Sequence, residues 1–431
     1  MKYGELAEAA WTWVLDQVQW DDDGPWIPEF LGAEKPTEFL HGTYTGVGGL
    51  AYALAEIELT RPWTTAEREL ADGIAARVRG SIPTESSISF FDGLVSSIGV
   101  LTVLGEPGVD AAVERALEIG TATGWQEGFL AESDSYEPGA VCNDLTLGTG
   151  GVLLGALWAI RHGVPAHELA DRAIERLLAE QEETAAGVNW LFVPRRYLRE
   201  PPPLEMPNLT HGLAGIAAVL ALAGAELDRP ELIETARLGA EHLITMGRSA
   251  GGGFEVPRAV PWSERHGDEY TYNWCHGPAG TALLFDALEY AGVDAVAGVS
   301  SATWRQRLLD AVRHSGIPKR LHPGFWDNDG RCCGTAGVAD AFLTSYQRTN
   351  DPADLAFATH LADTLVANAG SSPYWRFLEH KNDDPLLPPG IGWMQGAAGI
   401  ATVLFRFEAQ TTAVPRMDNW WPVQKVGPPT K

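Results

Sequence analysis

The sequence predicts an all-α fold, an α/α toroid of seven helical hairpins with seven inner and seven outer helices. Three observations predict it. A Gly-x-x-Gly element recurs seven times, an apolar stretch follows each copy, and an amphipathic charged segment lies between copies. The elements are Gly46-Val-Gly-Gly49, Gly93-Leu-Val-Ser96 (serine in the last place), Gly148-Thr-Gly-Gly151, Gly212-Leu-Ala-Gly215, Gly277-Pro-Ala-Gly280, Gly334-Thr-Ala-Gly337 and Gly396-Ala-Ala-Gly399. Their first glycines are 47, 55, 64, 65, 57 and 62 residues apart, a period that fits a helical hairpin plus loops.

The inner helices are read from stretches such as 152–159 and 216–223, which are apolar nearly all round, as buried helices are. Small residues at their starts let backbones approach closely. The outer helices are read at 5–19, 64–79, 109–119, 166–183, 229–246, 300–314 and 351–367. In the fourth, Leu169, Ala173 and Leu177 recur at four-residue spacing with Leu178 beside them, the pattern of a half-exposed helix. An open solenoid is the alternative architecture, but solenoids carry polar caps and seldom bury whole helices. No Gly/Ser linker divides the chain, so one domain is expected over 1–415, followed by an extended Pro-rich tail at 416–431. Two long loops stand out, 187–207 with Pro201-Pro-Pro203, and 251–273; the run 188–193 reads as a short strand.

Composition narrows the function. With 45% hydrophobic and 20% charged residues, the 431-residue chain can bury a large core. A net charge of -26 argues against sequence-independent nucleic-acid binding, which relies on Lys and Arg at phosphates. No basic and apolar targeting signal opens the sequence, and no uninterrupted apolar run reaches the length of about 18 residues that spans a membrane. Four cysteines cannot supply a disulfide framework for this length, so a reducing, cytoplasmic location is expected.

Three of those cysteines stand beside the glycine elements, in Trp274-Cys275-His276-Gly277 and Arg331-Cys332-Cys333-Gly334. In a ring of equivalent hairpins all inner helices start at one end, so the residues before each first glycine crowd one rim. The position immediately before that glycine holds Thr45, Asp92, Leu147, His211, His276, Cys333 and Gln395, and one place earlier two repeats carry Cys275 and Cys332. A lone cysteine in a helical protein is most often a small core residue. Three at matched offsets in adjacent repeats point instead to a thiolate-rich metal site, and three thiolates suit zinc better than hard cations. A structural site would be closed by a fourth protein ligand, with His276 the candidate; a catalytic site would leave that position open. Consecutive ligation by Cys275 and His276 would be sterically tight, which favours the open site with His276 in an outer, hydrogen-bonding role.

These motifs, together with Asn143-Asp144-Leu-Thr-Leu-Gly148 and Thr210-His211-Gly-Leu-Ala-Gly215, resemble those of the lanthionine synthetase C-like cyclases over almost the whole chain. Members form an α/α toroid with one zinc ion at its mouth and add peptide cysteine thiols across dehydroalanine or dehydrobutyrine, closing thioether rings. The resemblance implies zinc held by Cys275, Cys332 and Cys333, His211 as the acid that protonates Cα, and Asp144 as a proton acceptor or the residue that orients His211. Two departures stand out. Members commonly have histidine where Cys333 stands, and many have arginine where Thr271 stands.

The implied function is a stand-alone zinc-dependent cyclase acting on a dehydrated precursor peptide, with a separate dehydratase as partner. The alternatives are addition of glutathione or another small thiol to dehydroamino acids, for which Arg195, Arg196 and Arg199 would supply a cationic pocket, and a non-catalytic zinc-containing scaffold. A sugar-processing toroid would need paired carboxylates at the rim, where only Asp92 and Asp144 offer themselves. Plainer roles are helix capping for His211 and Asp144 and core packing for Cys142. Tyr272, Trp274, Trp326 and Trp393 would either line a peptide groove or pack beneath the rim.

Overall fold

The computed structural model describes residues 3–200, 204–263, 268–319, 328–377 and 386–409. The expected Pro-rich tail, Pro201 to Pro203 and Trp326 lie outside these residues. In chain order the helices are α1 (Tyr3–Leu15), α2 (Gly49–Thr60), α3 (Thr65–Ser81), α4 (Leu94–Leu104), α5 (Val109–Ile119), the single turn α6 (Gly128–Ala131), α7 (Thr149–Arg161), α8 (His167–Ala179), α9 (Leu213–Glu226), α10 (Pro230–Met246), α11 (Pro278–Tyr290), α12 (Ser301–His314), α13 (Thr335–Thr349), α14 (Pro352–Ala369) and α15 (Ala397–Ala409). The helices that begin at the glycine elements are α2, α4, α7, α9, α11, α13 and α15; they alternate with α1, α3, α5, α8, α10, α12 and α14. Burial follows the expectation. In α9 every residue from Leu213 to Gly224 is buried, whereas α8 buries the stripe Leu169, Ala170, Ala173, Ile174 and Leu177.

Contacts divide the chain into two compact units. In one, α15 packs on α1 and α2, and α13 packs on α14. In the other, α7 pairs with α8, α9 with α10 and α11 with α12, and α9 touches both α7 and α11.

Two expected outer helices end early. The first stops at Leu15 and the fourth at Ala179, because the chain turns there into hairpins: β1 (Gln19–Asp21) with β2 (Gly24–Trp26), and β3 (Glu182–Thr184) with β4 (Gly187–Asn189). The expected strand at 188–193 is confined to Gly187–Asn189. Two more antiparallel pairs follow, β5 (Arg248–Ala250) with β6 (Gly253–Glu255), and β7 (Ala295–Val296) with β8 (Val299–Ser300). Strands of two or three residues are too short for a period-two signal. Tryptophan finishes several outer helices: Trp125, Trp190 and Trp375 donate their indole N–H to Ala116, Leu177 and Leu365 carbonyls at 2.7, 2.7 and 2.8 Å. Each ties the chain that follows back onto a carbonyl near its helix end while giving a buried indole N–H an acceptor.

The glycine elements work by close approach. A Cβ on the last glycine of an element would meet the carbonyl oxygen six residues earlier: Leu145 for Gly151 at 2.5 Å, Leu209 for Gly215 at 2.0 Å, Trp274 for Gly280 at 1.8 Å, Arg331 for Gly337 at 1.8 Å and Trp393 for Gly399 at 1.7 Å. The chain before these five inner helices is therefore curled tightly against the helix start, and only glycine fits there. The same curl caps the helix. Gly148, Gly212, Gly277 and Gly334 are N-caps without side-chain capping bonds. The first helical N–H groups instead find turn carbonyls, as in Thr149 N to Cys142 O at 3.0 Å, Ala214 N to Pro207 O at 3.0 Å and Ala336 N to Asp329 O at 3.2 Å. Side chains in the turns are thus released from capping the helices.

Candidate metal centre and its histidine

Consider first the turns before α7, α9 and α11. They are joined by backbone hydrogen bonds, Leu145 N to Thr210 O at 3.3 Å and Thr210 N to Cys275 O at 3.2 Å. In the turns before α4, α7 and α11 the residue four places before the first glycine stiffens its own turn. Ser89 Oγ accepts from the Phe91 N–H (3.3 Å), Asp144 from the Thr146 and Leu147 N–H groups (3.2 Å each), and Asn273 Oδ1 from the His276 N–H (2.9 Å). Asp144 is fully buried, and its Oδ2 also accepts from Thr146 Oγ1 at 2.8 Å and faces His211 Nδ1 at 2.9 Å. Since serine and asparagine brace the equivalent turns without charge, what distinguishes Asp144 is the negative charge set against His211.

His211 does not cap α9, whose N-cap is Gly212. Its Nδ1 lies against Asp144 and, at 3.1 Å, Thr146 Oγ1, and its side chain is 27% exposed. Phe192 stands edge-on to the ring at 5.5 Å, and the His276 ring packs on it at 5.3 Å. Burial lowers the His276 pKa, with the positive charges of His211 and Arg258 adding to the effect, to about 3, so this imidazole is neutral at ordinary pH. Thr271, standing where an arginine is common, closes the turn by donating to the His276 carbonyl at 3.1 Å. Cys142 is fully buried among Leu130, Val141, Val193 and Tyr197, and burial pushes its thiol pKa up, as a core residue requires.

The turns before α13, α15 and α2 form a second set. Arg331 N and Cys332 N both donate to the Met394 carbonyl, at 2.9 and 3.1 Å, and Met394 N donates to Tyr44 O at 3.1 Å. Arg331 anchors its turn: its guanidinium bonds Asp340 of α13 at 2.9 Å and lies 4.6 Å from the Trp393 ring. Trp393 is buried and stacks on Tyr52 at 4.7 Å, so it packs beneath the rim. Cys332 and Cys333 sulfurs are 3.4 Å apart. Gln395 Nε2 reaches Tyr44 Oη at 2.9 Å and Cys333 Sγ at 3.9 Å. Burial, then the neighbouring Cys332 and Cys333 charges, push the Tyr44 hydroxyl well up, keeping it a protonated donor.

The sulfurs of Cys275, Cys332 and Cys333 lie within 4.8 Å of one another. Among the described residues no other group of histidine, cysteine or acidic side chains is so arranged, and this one contains no histidine. None of the four cysteines is in a disulfide. Three converging thiols are a soft donor set, and they fit zinc or a similar ion. The sequence had indicated these three, with His211 and Asp144; it had passed over Thr146, Asn273 and Tyr44. For Asn273 and Tyr44 a signal was present in the repeat, since Asn273 aligns with Asp144, and Tyr44 with Cys275 and Cys332.

The chain matches the model for lanthionine synthetase C-like protein over residues 41–419 and belongs to that family. Among solved structures it is similar to nisin cyclase, at 14% identity over 95% of each chain with a TM-score of 0.63. It is also similar to the Lin0763 protein of Listeria innocua, at 12% identity over 96% of this chain and 99% of that one, with a TM-score of 0.49. An inactive alpha-1,6-mannanase variant from a Salegentibacter species follows, at 13% identity, 96% and 100% coverage and a TM-score of 0.46. None of the curated proteins matches the chain. The fold class expected from the sequence, an all-α toroid of helical hairpins, is the fold class of the chain. No described helix is long and apolar enough to cross a membrane.

Proposed function

We propose that the protein is a zinc-dependent cyclase that adds cysteine thiols of a dehydrated precursor peptide to dehydroalanine or dehydrobutyrine, forming lanthionine or methyllanthionine rings. It would act in the cytoplasm with a separate dehydratase that supplies the peptide. The observation that carries this is the cluster of Cys275, Cys332 and Cys333 in a chain of the lanthionine synthetase C-like family. These three thiolates would hold the ion, which when bound would keep a substrate thiol deprotonated near neutral pH. His211 supplies the proton chemistry. With Nδ1 facing Asp144, Nε2 is the nitrogen available to a substrate. It takes the thiol proton and returns it to Cα after sulfur has bonded Cβ and the electron pair of the double bond has moved to the carbonyl. One S–H is added across one C=C, and nothing leaves. Asp144, buried and shared by two turn N–H groups, orients the imidazole.

The small-thiol alternative draws no support from the arginines. Arg195 is paired with Glu182 at 2.9 Å, Arg196 with Glu180, and Arg199 with Glu137 at 3.4 Å. A closed, purely structural site draws none from His276, whose ring packs on His211. The test incubates the zinc-loaded protein with a dehydrated, cysteine-containing peptide, alkylates remaining thiols and measures mass. Ring closure appears as lost alkylation. Equal loss with Cys333→Ala protein, or after chelation, would contradict the proposal.

A further inference from the structure

We propose that Tyr44 and Gln395 are positioning residues for the Cys332–Cys333 thiolate pair: the Gln395 amide bridges Tyr44 Oη at 2.9 Å and Cys333 Sγ at 3.9 Å. The inference rests on the metal reading above and assigns it an outer layer. The donors and acceptors match one another. The amide has two N–H groups, one for the tyrosine oxygen and one for Cys333. The repeat explains why they meet. Tyr44 stands two places before Gly46, as Cys332 does before Gly334, and Gln395 stands directly before Gly396, as Cys333 does before Gly334. Met394 fastens the three turns, accepting from Arg331 and Cys332 and donating to Tyr44. Gly330 makes room for the amide, since a Cβ there would lie 2.9 Å from Gln395 Oε1.

The chemical need follows from the ligand set. Three thiolates outweigh a divalent cation, so the centre carries excess negative charge. Hydrogen bonds to sulfur draw part of that density off without protonating it, and they fix where each sulfur points. A ligand set in which one thiolate is replaced by neutral imidazole would need this less.

Co²⁺ titration of metal-free protein reads the effect through the thiolate-to-cobalt charge-transfer absorption. Tyr44→Phe and Gln395→Leu are expected to weaken Co²⁺ binding by about 10- to 100-fold. Their charge-transfer bands should move to lower energy, because a sulfur that loses a hydrogen bond gives up its electron more readily. The metal-free melting temperature should stay within a few degrees of wild type, which separates this role from packing. Wild-type affinity and band position in both variants would overturn the inference while leaving the metal site standing. Failure of wild-type protein to bind Co²⁺ would overturn the metal reading and the inference together.

Discussion

Gly280→Ala should destabilise the protein and disturb the metal site. The added Cβ would stand 1.8 Å from the Trp274 carbonyl oxygen, where side-chain carbons essentially never come closer than 3.0 Å. Both partners are backbone, one in the first turn of α11 and the other directly before Cys275, so neither can swing aside. Overpacking of this kind costs about 1–3 kcal/mol, and a clash between main chains belongs at the upper end. The better helix propensity of alanine returns at most about 1 kcal/mol. The net expectation is a loss of about 2 kcal/mol, together with weaker metal binding as the Cys275 turn is displaced. Gly80→Ala is the matched control. It replaces an exposed glycine of α3 whose added Cβ would meet nothing within 4 Å, and it should stabilise by about 0.5–1 kcal/mol. Thermal midpoints of the two variants should therefore shift in opposite directions. A Gly280→Ala midpoint at or above that of wild type would refute the close-approach account of the repeat.

Asp144→Asn should keep the turn, because an amide oxygen caps the equivalent turn in Asn273, but remove the charge opposite His211. Ring closure, followed by alkylation and mass, should slow by about 10²–10⁴ with little change in melting temperature; an unchanged rate would remove the pair from the chemistry. Arg195→Ala and Arg196→Ala should leave thiol addition within about twofold of wild type, since both guanidiniums are already held by glutamates. Glu67 gives the pH dependence. Burial raises its pKa, but hydrogen bonds from Arg61, the Thr64 N–H and Trp11 outweigh that and lower it from 4.5 to about 2. A carboxylate depressed on folding contributes stability above its unfolded value and loses it as pH falls through the folded one. Glu67→Gln should thus cost about 2 kcal/mol at pH 7 after allowance for solvent screening. It should also flatten the fall in thermal midpoint between pH 4.5 and 2.

Much of the fold is written in the glycine spacing. The inner helices start where the elements place them, because each closing glycine answers a steric need that no other residue meets. Helix ends are less legible. The turn into β1 after Leu15 and into β3 after Ala179 depends on strands too short to leave a periodic trace. At the site, the three cysteines could be found because soft ligands are rare in this chain and sit at matched offsets. Tyr44 shares that offset without being a soft ligand, and Thr146 has no such mark. Tyrosine and threonine are ordinary in any turn, and what matters here is a contact with a residue from another repeat: Thr146 with His211, and Tyr44 with Gln395. The structure also separates roles that the sequence left joined. Arg331 anchors the turn through Asp340 and Trp393, while Cys332 and Cys333 face each other's sulfur.

The most direct test of the central claim is zinc K-edge X-ray absorption on the zinc-loaded protein, before and after a cysteine-containing dehydrated peptide is added. The account predicts three sulfurs at about 2.3 Å and one lighter atom in the free protein. It predicts a fourth sulfur with the peptide, and none with a serine-for-cysteine peptide. A histidine nitrogen in a closed four-ligand shell, or a sulfur count that ignores the peptide, would contradict it.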